Sequence, residues 1–216
     1  MIRIVLADDH PIVREGLKGL LSAAGDMEVV GEASDGGQVM ERVRALDFEL
    51  LLLDMSMPGR SGIELIRQVR SEKPRLKILI LSMHEESQYA VRAIRAGAAG
   101  YLTKESASRQ LVEAIRKVAG GGAFISAEVA QQLALGAMPD VKGPPHTALS
   151  DREFQIFRMI ADGLSVSDIA GRLNLSVKTV STHKSNILHK MNMTTQAELI
   201  RYAITHRLVD EAGPDA

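Results

Sequence analysis

The chain contains no cysteine, and only 3% of its residues are aromatic. The absence of cysteine excludes disulfides, thiolate catalysis and cysteine-ligated zinc, and it fits a reducing compartment such as the cytoplasm, where we expect this protein. With so few aromatic residues, the hydrophobic cores must be built from Leu, Ile, Val, Ala and Met.

Long hydrophobic runs are also lacking. No apolar run approaches the ~20 residues that a transmembrane helix needs, and the N-terminus has no basic region followed by a hydrophobic stretch. We therefore expect no membrane partner. The formal net charge is only −1 over 216 residues, so charge indicates a partner only when it is examined segment by segment. A chain of this length holds one large domain or two ordinary ones.

Strand-like apolar runs alternate with amphipathic helical stretches over residues 1–125. This alternation predicts a parallel sheet covered by helices on both sides. Because crossover connections are right-handed, we expect a doubly wound α/β domain with a five-stranded parallel sheet. The five predicted strands are Ile2–Ala7, Met27–Ala33, Leu50–Leu53, Lys77–Ser82 and Ala98–Leu102.

A different organisation follows. The segment GAMPDVKGPPHTA (136–148) carries three prolines and two glycines, a composition typical of a linker. Beyond it only helical spacing remains, and the sequences that begin at Ser150, Ser165 and Thr195 have the form of capping boxes. We expect a linker over 126–146 and a smaller all-α domain of four short helices over 147–212.

Polar side chains follow the carboxyl ends of four predicted strands, the edge where open α/β sheets bind ligands. Clustered carboxylates bind a hard cation such as Mg²⁺, and a carboxylate can act as a nucleophile and accept a phosphoryl group. A single aspartate there is more often a helix cap or turn residue, and a single lysine is usually solvated. The residues that together indicate a site are Asp8, Asp9, Asp54, Ser82 and Lys104.

The motifs DDHP, LLLLDMSMPGRSGIEL, ILILSMHEE and GAAGYLTKE resemble the receiver domain of bacterial response regulators over about residues 1–120. The resemblance implies a flavodoxin-like fold in which Asp54 accepts a phosphoryl group from a sensor histidine kinase. It also implies that Mg²⁺ is held by Asp9, Asp54 and the backbone carbonyl of Ser56, with Asp8 acting mainly through water.

The same resemblance implies that Ser82 and Lys104 hold the phosphoryl group. Tyr101 is then the aromatic residue that changes rotamer as Ser82 is drawn in. The chain departs from many receivers in having Glu105, rather than proline, after Lys104. We expect His10 to be an exposed turn residue and not a metal ligand.

The helical region is basic over one stretch. From Ile169 to Ala197 there are four basic residues and no acidic one. We interpret them as a basic stripe on one helix face, typical of contact with a nucleic-acid backbone, although an ordinary solvated helix face has the same composition. The pattern predicts a helix, a short turn and a second helix. The predicted buried residues are Ile169, Ala170, Leu173, Val177, Val180, Ile187 and Met191.

The second of these helices presents short polar side chains outward, and such side chains can approach base edges in a major groove. Lys184 falls on the inward side, so we expect its stem to pack and its ammonium to extend toward a phosphate. The residues expected to face outward are Lys178, Ser181, Thr182, Ser185 and His189.

The segments LSDREFQIFRMIADGLS, DIAGRL, LSVKTVSTHKSNILHKM and AELIRYAI resemble the LuxR-type helix-turn-helix of the NarL/FixJ branch of response regulators, over about 147–210. The resemblance implies contacts to double-stranded DNA and a homodimer surface on the last helix, Thr195–Thr205. The implied DNA-contacting residues are Lys178, Thr179, Ser181, Thr182 and Ser185, together with Lys184. The dimer candidates are Ala197, Leu199 and Ile200.

The sequence therefore predicts a DNA-binding transcription regulator of a two-component system, switched by phosphorylation of Asp54 and dimeric when phosphorylated. It is not expected to be an enzyme, beyond assisting its own phosphorylation and dephosphorylation. One alternative is a Mg²⁺-dependent phosphatase, but such enzymes generally carry a second acid two residues after the nucleophile, where this chain has Ser56. The other is a constitutive DNA-binding protein with a scaffold receiver, which the intact set of acids disfavours.

Overall fold

The structure, a computed structural model, describes residues 1–57, 62–82, 87–135, 144–206 and 208. The chain divides into two compact units, Met1–Ala130 and Gln131–Ala216. None of the helices in the described ranges is both long and apolar enough to cross a membrane.

The first unit is built on a five-stranded sheet in which all neighbouring strands are parallel, in the order β2-β1-β3-β4-β5. This confirms the predicted fold class. From β1 the chain first adds β2 on one side and then adds β3, β4 and β5 on the other side. The strand order therefore reverses between β1 and β3. The strands are β1 Ile2–Ala7, β2 Met27–Ala33, β3 Leu50–Asp54, β4 Lys77–Ser82 and β5 Gly100–Thr103.

Helices connect the strands and cover the sheet, which is why β3 is buried along its whole length. Local signals set where several of them begin: Pro11 occupies the first turn of α1, and the side chains of Asp35 and Thr103 accept N-cap hydrogen bonds in α2 and α5. These helices are α1 Pro11–Ala23, α2 Gly36–Ala45, α3 Gly62–Glu72, α4 Ser87–Ala96 and α5 Lys104–Ala119; a further helix, α6 Ala127–Leu135, follows the last strand and spans the division between the units.

The outer edge of β5 is partly covered by the chain that follows α5. Gly100 forms an isolated parallel bridge with Phe124. A Cβ on Gly100 would lie 2.9 Å from the Phe124 carbonyl oxygen and 2.7 Å from Leu79 Cδ1, so the close approach of this segment requires glycine. Sequence reasoning did not identify the bridge.

The predicted linker, 126–146, begins with helix α6 rather than with irregular chain. The hydroxyl of Ser126 accepts a hydrogen bond from the Val129 N–H, and alanine, glutamine and leucine continue the helix. Residues 136–143 lie outside the described ranges. The boundaries 1–125, 126–146 and 147–212 stay predictions.

The second unit is helical. A 3₁₀ turn, Pro145–Ala148, precedes four helices, as the spacing predicts. All three predicted capping boxes are present, pairing Ser150 with Glu153, Ser165 with Asp168 and Thr195 with Glu198. Phe154 and Phe157 are fully buried at the centre of its core. The helices are α7 Asp151–Ala161, α8 Val166–Leu173, α9 Val177–Lys190 and α10 Gln196–Thr205.

Candidate functional site

Four acidic or imidazole side chains converge where the strand order reverses. Asp8, Asp9, His10 and Asp54 each offer one ligand atom, and these atoms all lie within 4.8 Å of one another. Asp8 and Asp54 are only 2% and 1% exposed, because they follow or end neighbouring strands, β1 and β3, whose carboxyl ends are buried. Such a concentration of buried negative charge requires a compensating cation.

Lys104 supplies that positive charge. Its Nζ lies 2.6 Å from Asp8 Oδ2 and 2.9 Å from Asp54 Oδ2, and its side chain is 12% exposed. Burial raises the pKa of Asp54, while the Lys104 ammonium and the Ser56 N–H oppose this increase. Burial works against the Lys104 ammonium too, but its hydrogen bonds to Asp8 and Asp54 leave its pKa above the usual value. Lys104 therefore remains charged between the two carboxylates.

The other predicted residues of this site occupy the neighbouring positions. The Ser56 N–H donates to Asp54 Oδ1 at 3.0 Å. Ser82 is the last residue of β4 and is buried. It follows Leu81, the residue that pairs with Asp54 on β3. Tyr101 is buried on β5 and pairs with Ile80, which lies two residues before Ser82 on β4. The predicted set is thus assembled from four strand ends.

His10 is exposed, as predicted, but it also contacts the cluster. Its main-chain N–H donates to Asp8 Oδ1 at 2.8 Å, and its ring Nδ1 lies 2.9 Å from Asp9 Oδ1. Sequence reasoning missed Arg14, whose Nη1 donates to the Asp8 carbonyl at 2.6 Å while its Nε donates to Glu32. The signal was available, because Arg14 lies one helical turn beyond His10 on α1.

The donor set is compatible with Mg²⁺. The oxygens of Asp8, Asp9 and Asp54 lie close enough together to share one ion, and hard divalent cations prefer carboxylate oxygens. Asp9 is partly exposed, which leaves room for water ligands on the open side.

In the second unit, α8 and α9 form a helix-turn-helix. Asn174, with φ 51°, ends α8 in the left-handed conformation, and the Ser176 side chain caps α9 by accepting from the Thr179 N–H. Val177 was wrongly predicted to be buried: it is 51% exposed, because the buried side of α9 begins at Val180. The residues buried as predicted are Ile169, Ala170, Leu173, Val180, Ile187 and Met191.

The outward face of α9 carries hydroxyl groups, as predicted. Lys178, Ser181, Thr182 and Ser185 are exposed, while Thr179 is half-buried with its Oγ1 2.8 Å from Ser176 Oγ. Thr182 donates to the Lys178 carbonyl and Ser185 donates to the Ser181 carbonyl. A hydroxyl that donates a hydrogen bond keeps its acceptor lone pairs, so Thr182 and Ser185 can still accept hydrogen bonds.

The interpretation of the α9 lysines as a stripe on one face is wrong. Lys178, Lys184 and Lys190 are spaced by six residues, and six residues at 3.6 per turn place successive lysines about 120° apart around the helix. Lys184 is half-buried, and its Nζ donates to Gln196 Oε1 at 2.6 Å. Lys190 Nζ lies 2.6 Å from Glu153 Oε2 on α7.

The predicted dimer residues on α10 differ in exposure. Ala197 is exposed and Ile200 is partly exposed. Leu199 was wrongly assigned to a surface: it is 0% exposed, because it faces the domain core together with Ala203, one turn further along. Ile204, which was not among the predicted dimer residues, is also exposed and follows Ala197 at the i+7 spacing of one helix face.

Doubly wound sheets support many activities, so the strand-end residues rather than the fold point to the chemistry. Here a buried aspartate, a second acid and a lysine come together at one switch point, and the same chain carries a helix-turn-helix. Fold and site together define a two-component response regulator.

Family models support both parts of this conclusion. Residues 4–116 match the response regulator receiver domain, and residues 147–203 match the bacterial regulatory proteins of the luxR family. The chain belongs to the NarL/FixJ family of response regulators, which join these two domains.

Similar proteins extend over nearly the whole chain. The response regulator UvrY of Escherichia coli O6:H1 (strain CFT073) is 40% identical over 209 residues, covering 96% of both chains. The response regulator GacA of Pseudomonas aeruginosa is 38% identical over 214 residues, covering 99% of this chain and 100% of GacA.

Solved structures of RcsB are also similar. RcsB from Salmonella enterica serovar Typhimurium, bound to promoter P1flhDC in the presence of the phosphomimetic BeF3−, has a TM-score of 0.71 at 28% identity, covering 94% of this chain and 98% of RcsB. A structure of two RcsB dimers bound to two parallel DNAs has a TM-score of 0.59 at 29% identity, covering 94% of this chain and 98% of RcsB.

Proposed function

We propose that a sensor histidine kinase phosphorylates Asp54, and that this phosphorylation controls the binding of the helix-turn-helix to double-stranded DNA. The observation that carries the proposal is the placement of a buried Asp54 against the Lys104 ammonium, at the point where the strand order reverses. We assign residues 1–125 to the receiver, 126–146 to the linker and 147–212 to the DNA-binding domain. Both family matches lie within these limits.

The side chains of Asp8, Asp9 and Asp54, with the Ser56 carbonyl, are the groups that would hold Mg²⁺. The bound ion supplies positive charge that offsets repulsion between the carboxylates and an incoming phosphoryl group. Asp8 and Asp54 already share Lys104, so the protein tolerates a cation between them.

Asp54 acts as the nucleophile. One of its carboxylate oxygens forms a bond to phosphorus as the bond from phosphorus to the kinase histidine nitrogen breaks, and the imidazole leaves and takes up a proton. Lys104 favours the reactive carboxylate form of Asp54 and can follow the negative charge onto the phosphoryl oxygens. In this proposal Ser82, buried at the end of β4, donates to one of these oxygens, and Tyr101 lies one strand away.

The output is the exposed hydroxyl-rich face of α9. Helix-turn-helix proteins place this second helix in the major groove, where short polar side chains approach base edges. RcsB, which shares the two-domain fold, has been solved on promoter DNA and as dimers on DNA. We propose that phosphorylated copies of this chain likewise pair on DNA, with Ala197, Ile200 and Ile204 on the dimer side of α10.

Titration of the full chain against DNA, with and without acetyl phosphate and Mg²⁺, tests the proposal. We expect the phosphodonor to add one phosphoryl group, detected by intact-mass spectrometry, and to increase both affinity and stoichiometry on DNA. Asp54→Asn should abolish both effects, whereas Asp47→Asn, at an exposed carboxylate, should preserve them. Unchanged DNA binding by the phosphorylated parent would overturn the switch, and phosphorylation of Asp54→Asn would overturn the acceptor assignment.

A further inference from the structure

Lys184 lies on the side of α9 that faces the protein. At 100° per residue it falls about 120° from Lys178 and within about 60° of the buried residues Val180 and Ile187. Its side chain is half-buried, and its ammonium donates to Gln196 Oε1 at 2.6 Å. The ammonium is therefore directed toward α10, and Lys178 is the lysine on the exposed, hydroxyl-bearing face.

The residue that accepts this hydrogen bond lies in a constrained stretch of backbone. Gln196 is the first residue of α10, directly after the N-cap Thr195, whose capping box with Glu198 fixes the start of the helix. The preceding turn is also constrained, because Asn192 has a φ of 54° and the Thr194 N–H donates to Glu198 Oε2 at 2.7 Å. Lys184 thus bonds to the side chain of a residue whose backbone is fixed by the start of α10.

We propose that Lys184 is a positioning residue that fixes the orientation of α9 relative to α10, and that it does not contact a DNA phosphate. This assignment rests on the proposed DNA-binding function. A hydrogen bond from a charged donor is strong and short, and here it spans the turn between α9 and α10. Without it, α9 gains freedom to pivot about Ile187 and Met191, which displaces the base-facing residues near its N-terminus.

The salt dependence of DNA binding separates a phosphate contact from a positioning role. The probe is a duplex of mixed sequence, since binding without sequence specificity reports phosphate contacts. We expect Lys178→Met to lower the slope of log Kd against log salt by about one for each protomer. The same substitution at Lys184 should leave this slope unchanged.

Sequence discrimination provides the readout of positioning. The second probe is a duplex that the phosphorylated parent selects from a random-sequence library, and the measured quantity is its affinity relative to the mixed-sequence duplex. Lys184→Met and Gln196→Ala should each lower this ratio about tenfold, the size expected for one hydrogen bond to a charged group. The double variant should lose no more than either single variant, because both remove the same bond.

Gln196→Glu is the conservative control, because it keeps an acceptor for Lys184 and should retain the ratio of the parent. Circular dichroism verifies that each variant is folded. The assignment is overturned if Lys184→Met lowers the salt slope as Lys178→Met does. It is also overturned if Lys184→Met leaves the ratio unchanged, or if the effects of Lys184→Met and Gln196→Ala add. A parent protein that binds neither duplex overturns the proposed function itself, a distinguishable result.

Discussion

The main-chain N–H of Tyr101 donates to the carbonyl oxygen of Phe124 at 2.9 Å, and the Phe124 N–H donates to the Ala99 carbonyl at 3.1 Å. Tyr101 is the candidate switch residue of the receiver, and Phe124 stands three residues before α6. The strand that carries Tyr101 is therefore hydrogen-bonded to the segment that follows α5. A displacement of β5 at Tyr101 would reach the backbone of Phe124, three residues before α6.

We expect Gly100→Ala to disrupt this bridge. The added methyl group would lie 2.9 Å from the Phe124 carbonyl oxygen, a backbone atom that cannot rotate away. The predicted cost is about 1–3 kcal/mol of receiver stability, as for other overpacked sites. Differential scanning calorimetry measures the loss, and hydrogen exchange should show faster exchange at the Tyr101 and Phe124 amides.

Gly16→Ala is the matched control for Gly100→Ala. Gly16 lies in α1, and a Cβ there meets no atom within 4 Å, so the substitution should stabilise the receiver by about 0.5–1 kcal/mol. If the two variants had equal stability, the close approach of Phe124 would not constrain Gly100.

Removal of the Lys104 charge should destabilise the receiver when no divalent cation is present. In Lys104→Met, Asp8 and Asp54 remain buried beside each other without their cation, and breaking such a buried pair costs about 3–5 kcal/mol. Added Mg²⁺ should stabilise the variant by more than it stabilises the parent, because the ion replaces the missing charge. Calorimetry with and without Mg²⁺ measures both effects, and a variant as stable as the parent in EDTA contradicts the prediction.

Gly171→Ala should stabilise the helical domain by about 0.5–1 kcal/mol, because Gly171 lies inside α8 with open space around its Cα. Gly163 also has open space, but its φ is +86°, so Gly163→Ala should destabilise the domain by about 1 kcal/mol. Hydrogen exchange of the α7 and α8 amides measures both changes. Effects of the same sign would show that backbone conformation does not distinguish the two sites.

The helical domain should lose part of its stability in acid through Glu153. Burial favours the neutral acid, but hydrogen bonds from Lys190 and Ser150 outweigh it and hold the pKa of Glu153 below its ordinary value. The contribution of this carboxylate is therefore complete above the unfolded-state pKa and disappears as the pH falls through the lower, folded-state pKa.

Glu153→Gln should remove this part of the acid sensitivity, with a loss of about 1 kcal/mol at neutral pH. The measurement is hydrogen exchange of the α7 and α9 amides between neutral and acidic pH, compared in the parent and the variant. Lys190→Met removes the ammonium that lowers the pKa of Glu153, so it should also reduce the pH dependence of stability. Parallel pH profiles for the parent and Glu153→Gln would contradict the assignment.

The sheet and the acidic site could be predicted because both follow from local pattern. Strands buried on two faces are near-continuous apolar runs, and the bounds of β1 and β4 agree with the predicted ones. Parallel strands bring their carboxyl ends to one edge, so Asp8, Asp54 and Lys104 could be placed together from sequence order alone.

The features that were missed depend on contacts between distant residues. A bridge at the single pair Gly100 and Phe124 leaves no periodic signal. The partner of Lys184 lies twelve residues away across a turn. The burial of Leu199 depends on which side of α10 faces the other helices of the domain, and helical spacing alone does not determine that side.

The spacing of the α9 lysines has a consequence for regulation. The exposed face of this helix presents Lys178 among hydroxyls, while Lys184 and Lys190 bond to the protein itself. A single copy therefore has few charges on this helix with which to hold DNA. Two copies joined on adjacent half-sites gain avidity, because binding of the first sets a high effective concentration for the second. Under the proposed function, a receiver that controls how long two copies stay together would thereby control promoter occupancy.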